Sequence, residues 1–213
     1  MPDFNLELAC GGIVAGVDEA GRGPWAGPVV AAAVILPAAL PAVLADGLDD
    51  SKKLSALRRE IFCAELFACA EIGIGAASVC EIDRDNILAA TFTAMCRAIR
   101  ALARPPDSVL IDGNRLPPGI PCPGRTVVGG DGLSLSIAAA SIVAKVTRDR
   151  AMKALAPRYP DFGWDSNAGY GTRQHQEGLR VAGVTPHHRR SFAPVAKILS
   201  PFDLGTPDIA ITH

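Results

Sequence analysis

The sequence predicts an α/β fold, a central mixed sheet flanked by helices, on three observations. Short apolar runs of strand length crowd the first half, helical periodicities interleave with them, and the last third is helical. "GIVAGVD" (12–18) and "PVVAAAVILP" (28–37) read as strands separated by a glycine-rich turn. The segment 55–70 reads as a helix that Ser55 caps, with Leu57, Ile61, Leu66 and Phe67 as its apolar stripe. "IGIGAASV" (72–79) is a third strand, and a longer helix is predicted over Asp83–Ala103, ended by Arg104-Pro105-Pro106. "SVLIDGN" (108–114) is a buried strand running into a turn, and "RTVVGGDG" (125–132) gives a short further strand. Leu133 to about Leu155 is unbroken by Gly or Pro and predicts the longest helix. Residues 158–171 are irregular, and Thr172 caps a helix to Ala182.

The chain has 213 residues, 49% hydrophobic and 20% charged, enough apolar surface for a proper core and the composition of a globular protein. A single domain over 1–200 is expected, with 201–213 as a tail, since no linker or repeat divides the chain. No apolar run reaches the roughly 18 residues of a membrane span. Asp3 and Glu7 stand where a signal peptide carries positive charge, so a cytoplasmic protein without membrane partners is expected, and the lack of an extended exposed apolar stripe favours a monomer. The six cysteines form no C-x-x-C pair and lie mostly in apolar stretches, which predicts buried free thiols and neither zinc nor disulfides.

Net charge is −1, but its distribution is uneven. Lys145 to Lys197 carries ten Lys and Arg against four acids, Asp149, Asp161, Asp165 and Glu177. A basic end on an acidic body fits nucleic acid, and it equally fits a solvated helical surface.

"GVDEAGRGPWAGP" (16–28) sets two acids against a glycine-rich turn. Consecutive strand residues face opposite ways, so Asp18 and Glu19 address one point only where the strand ends there. Gly21 and Gly23 expose backbone amides to a ligand. The string is neither a P-loop nor a dinucleotide fingerprint, and an acidic turn would account for it alone. Asp112 closes a buried strand, where an unpaired charge is costly and a turn cap is the plain alternative. Ser141, Lys145 and Asp149 recur every four residues on one helix face, as a surface ion pair also would. Four acids converging from two strand ends and a helix would suit two divalent cations.

"GVDEAGRGPWAGPVVAAAVIL", "DSKKLS", "VLIDGN", "GGDGLSLSIAAASIVAKVTRDR", "GYGTRQH" and "TPHHRRSFAPV" together resemble bacterial ribonuclease HII, in matching order over about residues 13–197. The resemblance implies a ribonuclease H-like fold with a C-terminal helical extension over about 158–200. It implies metal-dependent hydrolysis of RNA in RNA–DNA hybrids and 5′ of single ribonucleotides in duplex DNA, with 5′-phosphate and 3′-hydroxyl ends. Asp18, Glu19, Asp112 and Asp149 then hold Mn²⁺ or Mg²⁺, a choice that oxygen-only ligation supports. By the same resemblance Gly21, Arg22 and Gly23 read the 2′-hydroxyl, and Tyr170 stacks on the deoxynucleotide sugar 3′ of the cut. Ser141, Lys52, Lys53, Lys145, Arg173, Arg189 and Arg190 are candidate substrate contacts, mainly to phosphates. Many relatives carry a lysine before the Gly129-Gly130-Asp131 stretch and another near Asn167-Ala168, which here bears on phosphate contacts and leaves the acids intact. "PFDL" (201–204) faintly suggests a sliding-clamp ligand. A junction resolvase would need no 2′-hydroxyl reader or Tyr170, and a non-catalytic hybrid binder would not gather carboxylates that repel its ligand.

Overall fold

The computed structural model describes residues 2–45, 47–48, 51 and 54–199. β1 (Val14–Ala20), β2 (Val29–Ile35), β3 (Glu71–Ala77), β4 (Ser108–Asp112) and β5 (Gly124–Val127) form one sheet of order β3-β2-β1-β4-β5. β1 and β3 both pair antiparallel with β2, whereas β4 is parallel to β1 and β5 parallel to β4, so the sheet is mixed as expected. Every residue of β2 is buried, the pattern of a strand covered on both faces. Side chains divide by alternation. Ala31 and Ala33 pack with Ala94, Ala98 and Ile99 on one side, and Ala32 and Val34 with Phe62, Leu66, Ala139 and Val143 on the other.

The helices are α1 (Asn5–Cys10), α2 (Ala42–Ala45), α3 (Ala56–Cys69), α4 (Val79–Arg100), α5 (Leu135–Leu155), α6 (Trp164–Asn167), α7 (Arg173–Ala182) and α8 (Ala193–Leu199). α4 covers one face of the sheet and α3 with α5 the other. α5 lies so close to β1 that a Cβ on Gly16 would sit 2.1 Å from the Ser136 carbonyl carbon. This contact carries the α5 residues past the end of β1, where the site forms. Ser134 caps α5, and Glu7 of α1 locks that end: its Oε1 accepts from Ser134 Oγ at 2.6 Å, Ser136 N at 2.9 Å and Ser136 Oγ at 2.6 Å.

Four expectations need correction. α4 runs from Val79 to Arg100, and it begins there because Ser78 and Glu81 form a capping box that also stops β3 at Ala77. Within α4, Asn86 has φ 69° and its Oδ1 accepts from Leu88 N and Ala89 N, starting the helix afresh there. On α3 the buried face is Phe62, Cys63 and Leu66, while Leu57, Ile61 and Phe67 are exposed. Of the cysteines, all free, Cys63 and Cys96 are buried and Cys10 and Cys80 are exposed. Among the described residues no helix is long and apolar enough to cross a membrane.

The chain after α5 returns to the sheet through an aromatic cluster in which Ala26, Met152, Phe162, Trp164 and Leu179 are buried together. His175 and His188 lie inside it, 0% and 1% exposed. Burial lowers the pKa of His175. Burial, followed by the charges of His175 and His187, pushes His188 down to about 4. A histidine neutral in the fold but ordinary in the unfolded chain has the unfolded state binding more protons below about pH 6.5. Its stability is therefore lost as pH falls from there towards 4. The wild type is expected to lose about 2 kcal/mol more than His188→Gln between pH 7 and pH 5. Urea unfolding at the two pH values measures this, and equal losses would contradict it.

Candidate active site

β1 and β4 run parallel, with Val17 in register with Ile111, so Asp18 and Asp112 stand side by side where β4 ends. A cleft of about 410 Å³ opens there. Asp18, Glu19, Gly21, Arg22, Gly23, Asp112, Ser141, Lys145 and Tyr170 line it, together with Ser51 and Arg148. β1 does not stop at the acids: Glu19 and Ala20 still pair with Ala31 and Val30. Both acids nevertheless line the cleft.

Asp18 is 4% exposed and its Oδ1 accepts the Glu19 N–H at 2.7 Å. Burial drives its pKa well above the usual carboxylate range, and the charges of Glu19 and Asp112 push the same way. The Ser141 hydroxyl bonds to it and lies 2.7 Å from Ser51 Oγ. Burial also raises Glu19, against which Arg22 Nη1 at 3.2 Å acts. Asp112 Oδ1 accepts the Gly130 N–H at 2.8 Å.

Asp149 does not line this cleft. It stands on α5 one turn beyond Lys145, whose Nζ holds its Oδ1 at 2.9 Å. Ser141, Lys145 and Asp149 share a helix face as the spacing predicts. Among the described residues, no three Asp, Glu, His or Cys side chains are gathered tightly enough to enclose an ion as they stand. The donor set still fits divalent cations: carboxylates crowded in a desolvated cleft, whose mutual repulsion a hard cation would relieve.

The G-R-G loop is held from behind by two buried arginines. Arg189, 0% exposed, donates from Nη2 to Gly21 O at 2.5 Å and Pro28 O at 3.2 Å, from Nη1 to Arg22 O at 2.8 Å, and from Nε to Gly27 O at 3.0 Å. Arg148, 1% exposed, donates to the carbonyls of Pro28, Ala168 and Ala26 at 3.0, 2.8 and 3.0 Å. Arg189 is thus no phosphate contact, a correction to the expectation from charge distribution. Burial and the Arg148 charge pull its pKa down to about 9, which leaves it charged at neutral pH. All peptides described are trans, so carbonyls of Gly21 and Arg22 turned towards Arg189 send the N–H groups of Arg22 and Gly23 the opposite way. Gly21 has φ +96°, and a Cβ there would fall 1.9 Å from Arg148 Nε. Glycine is required twice over at that position.

Tyr170 is half exposed on the far wall, and a Cβ on Gly23 would lie 3.5 Å from its ring. Arg173 is exposed on the first turn of α7 and Arg190 is exposed beyond His188. Lys52, Lys53 and the tail 201–213 with "PFDL" lie outside the described residues. Sequence reasoning missed Ser51, Arg148, His175 and His188. No local signal marks them: Arg148 stands among Lys145, Asp149, Arg150 and Lys153 in the polar half of α5, as a solvated base also would.

A family model for ribonuclease HII matches residues 15–195. The chain is 63% identical over 200 residues to a ribonuclease HII of Paramagnetospirillum magneticum, covering 93% of this chain and 99% of that one. Among solved structures it resembles the ribonuclease H2 of Pyrococcus horikoshii, with a TM-score of 0.70 at 28% identity over 87% of this chain and 96% of that one. It also resembles a structure of the PCNA and ribonuclease HII complex from Archaeoglobus fulgidus, with a TM-score of 0.70 at 26% identity, covering 83% and 93%.

Proposed function

This chain belongs to the ribonuclease HII family, and from that premise we propose that it nicks duplex DNA 5′ of single embedded ribonucleotides by two-metal-ion catalysis. Membership makes it a metal-dependent ribonuclease H acting on the RNA strand of RNA–DNA hybrids. The observation that carries the finer reading is one cleft combining Asp18, Glu19 and Asp112 with the amide-presenting G-R-G loop and the Tyr170 ring.

Asp18, Glu19 and Asp112 would hold Mg²⁺ or Mn²⁺, and Asp149 would join them on leaving Lys145, which stands one turn nearer the cleft. When bound, such cations would neutralise the phosphodiester, activate water and stabilise the departing 3′-oxygen. Ser141 orients the Asp18 carboxylate, supported by Ser51. Lys145, released from Asp149, pairs with a phosphate beside the acids. Arg22 does the same on the opposite wall.

The N–H groups of Arg22 and Gly23 donate to the 2′-hydroxyl, which a deoxyribose cannot offer. Tyr170 packs on the sugar 3′ of the cut, so the enzyme recognises an RNA-to-DNA junction. Arg173 and Arg190, with Lys52 and Lys53, contact phosphates and position the duplex without reading its sequence. The same reading makes the protein a cytoplasmic monomer in ribonucleotide and primer removal during DNA replication and repair. It also allows a sliding-clamp contact through the "PFDL" segment.

Three labelled duplexes test the proposal: all-DNA, one-ribonucleotide and continuous hybrid, each with and without Mn²⁺ or Mg²⁺. Cleavage is expected 5′ of the single ribonucleotide and along the hybrid, only with metal. An uncut one-ribonucleotide duplex beside a cut hybrid would reject the junction reading.

A further inference from the structure

We infer that His175 and the His188–Arg189 dipeptide are positioning residues that set the spacing between the 2′-hydroxyl-reading loop and Tyr170; the inference rests on the substrate reading above. Three partners with a single role each define the protons of the histidine pair. The Thr185 N–H only donates, so His188 Nδ1, 3.0 Å away, accepts. The Trp164 indole N–H only donates, so His175 Nε2 accepts, and the remaining His188 Nε2–H points to it at 2.9 Å. The Tyr170 carbonyl only accepts, so His175 Nδ1–H donates to it at 2.9 Å. One directed chain therefore runs from Thr185 through His188 and His175 to the backbone of Tyr170.

The next residue, Arg189, grips the carbonyls of Gly21 and Arg22. The same segment is stitched to the limb leaving the G-R-G loop: Arg189 N donates to Trp25 O at 2.8 Å, Gly27 N to His187 O at 2.9 Å, and Ala26 bridges His188. Trp25 N in turn donates to Gly169 O at 2.8 Å. Both walls of the cleft thus hang from adjacent residues of one buried strap, and the approach of Gly23 to the Tyr170 ring is set there.

Asn and Gln separate the two ring nitrogens. His175→Asn keeps a donor where Nδ1 stands and so keeps the bond to Tyr170, whereas His175→Gln keeps only the Nε2 position. His175→Gln is expected to reduce kcat/KM on the one-ribonucleotide duplex about tenfold, mainly through KM, and His175→Asn, which keeps the bond to Tyr170 but loses the one to His188, by less. In a Tyr170→Ala background the His175→Gln effect should vanish, since the bond then positions no ring. An equal loss in both backgrounds, or equal losses for Gln and Asn, would mean a general packing role and overturn the inference. A wild type that leaves this duplex uncut rejects the substrate reading alone. The positioning claim is then decided by the amide resonances of Gly169 and Gly171: a larger displacement in His175→Gln than in His175→Asn supports it, and equal displacements or none overturn it.

Discussion

Asp18→Asn should lower kcat on the one-ribonucleotide duplex by about a thousandfold or more while raising the melting temperature in metal-free buffer. The two effects have one cause. Asp18 is a desolvated carboxylate repelled by Glu19 and Asp112, and its pKa is raised accordingly. A group with a raised folded pKa stabilises the fold only while protonated, so its contribution is lost as pH climbs through that pKa, and at neutral pH the charge is a burden. Asparagine keeps the carbonyl that accepts the Glu19 N–H and removes the charge. Cation-assisted phosphoryl chemistry, in contrast, depends on that charge, and several kcal/mol of lost transition-state stabilisation is about three powers of ten. Mn²⁺ titration followed by thermal melting gives an independent readout. The wild type should gain stability on adding the ion, and Asp18→Asn should gain much less. Retained turnover, or an equal metal response in both proteins, would remove Asp18 from the centre of the site.

The acids and the glycines of this site are legible in the sequence because each is announced by its surroundings. Asp18 and Asp112 follow apolar runs that only a buried strand explains, and parallel pairing of those strands brings the two together. Gly21 and Gly23 break a strand pattern within two residues. What the sequence does not expose is the support behind them. Arg148 and Arg189 look like surface cations, since a guanidinium is buried only where several carbonyls converge on it, and all of those carbonyls but Ala168 O come from residues more than 100 positions away. The histidine pair is hidden for the same reason: its tautomers are dictated by Trp164, Thr185 and Tyr170, none of which marks it locally. α1 is six residues long, too short for a periodicity to declare, and is held by Glu7 reaching the cap of α5. Asp149 lies on the predicted helix face, yet a helical pattern cannot say whether its carboxylate turns to the cleft or to Lys145.

Arg189→Lys separates the strap from the phosphate-contact role that the charge distribution suggests. A phosphate contact made by an exposed cation tolerates this change well, because the charge is kept and the solvent fills the difference. A fork over four carbonyls does not tolerate it. Lysine has one nitrogen where Arg189 has three, and it cannot reach Gly21, Arg22, Gly27 and Pro28 together. The carbonyls left without donors are buried under the loop, and a compact ammonium is harder to desolvate than a guanidinium. The expected cost is about 4 kcal/mol, a fall of about 10 °C in Tm for a chain of this length. Loosening the loop also frees the Arg22 and Gly23 amides from their fixed direction, so discrimination between ribose and deoxyribose should fall along with stability. Arg173→Ala is the counterpart on the exposed first turn of α7. It should leave Tm unchanged and reduce the salt dependence of duplex binding by about one counterion. If Arg189→Lys melted with the wild type and altered only duplex affinity, the guanidinium would be meeting phosphate, and the G-R-G loop would owe its shape to its glycines alone.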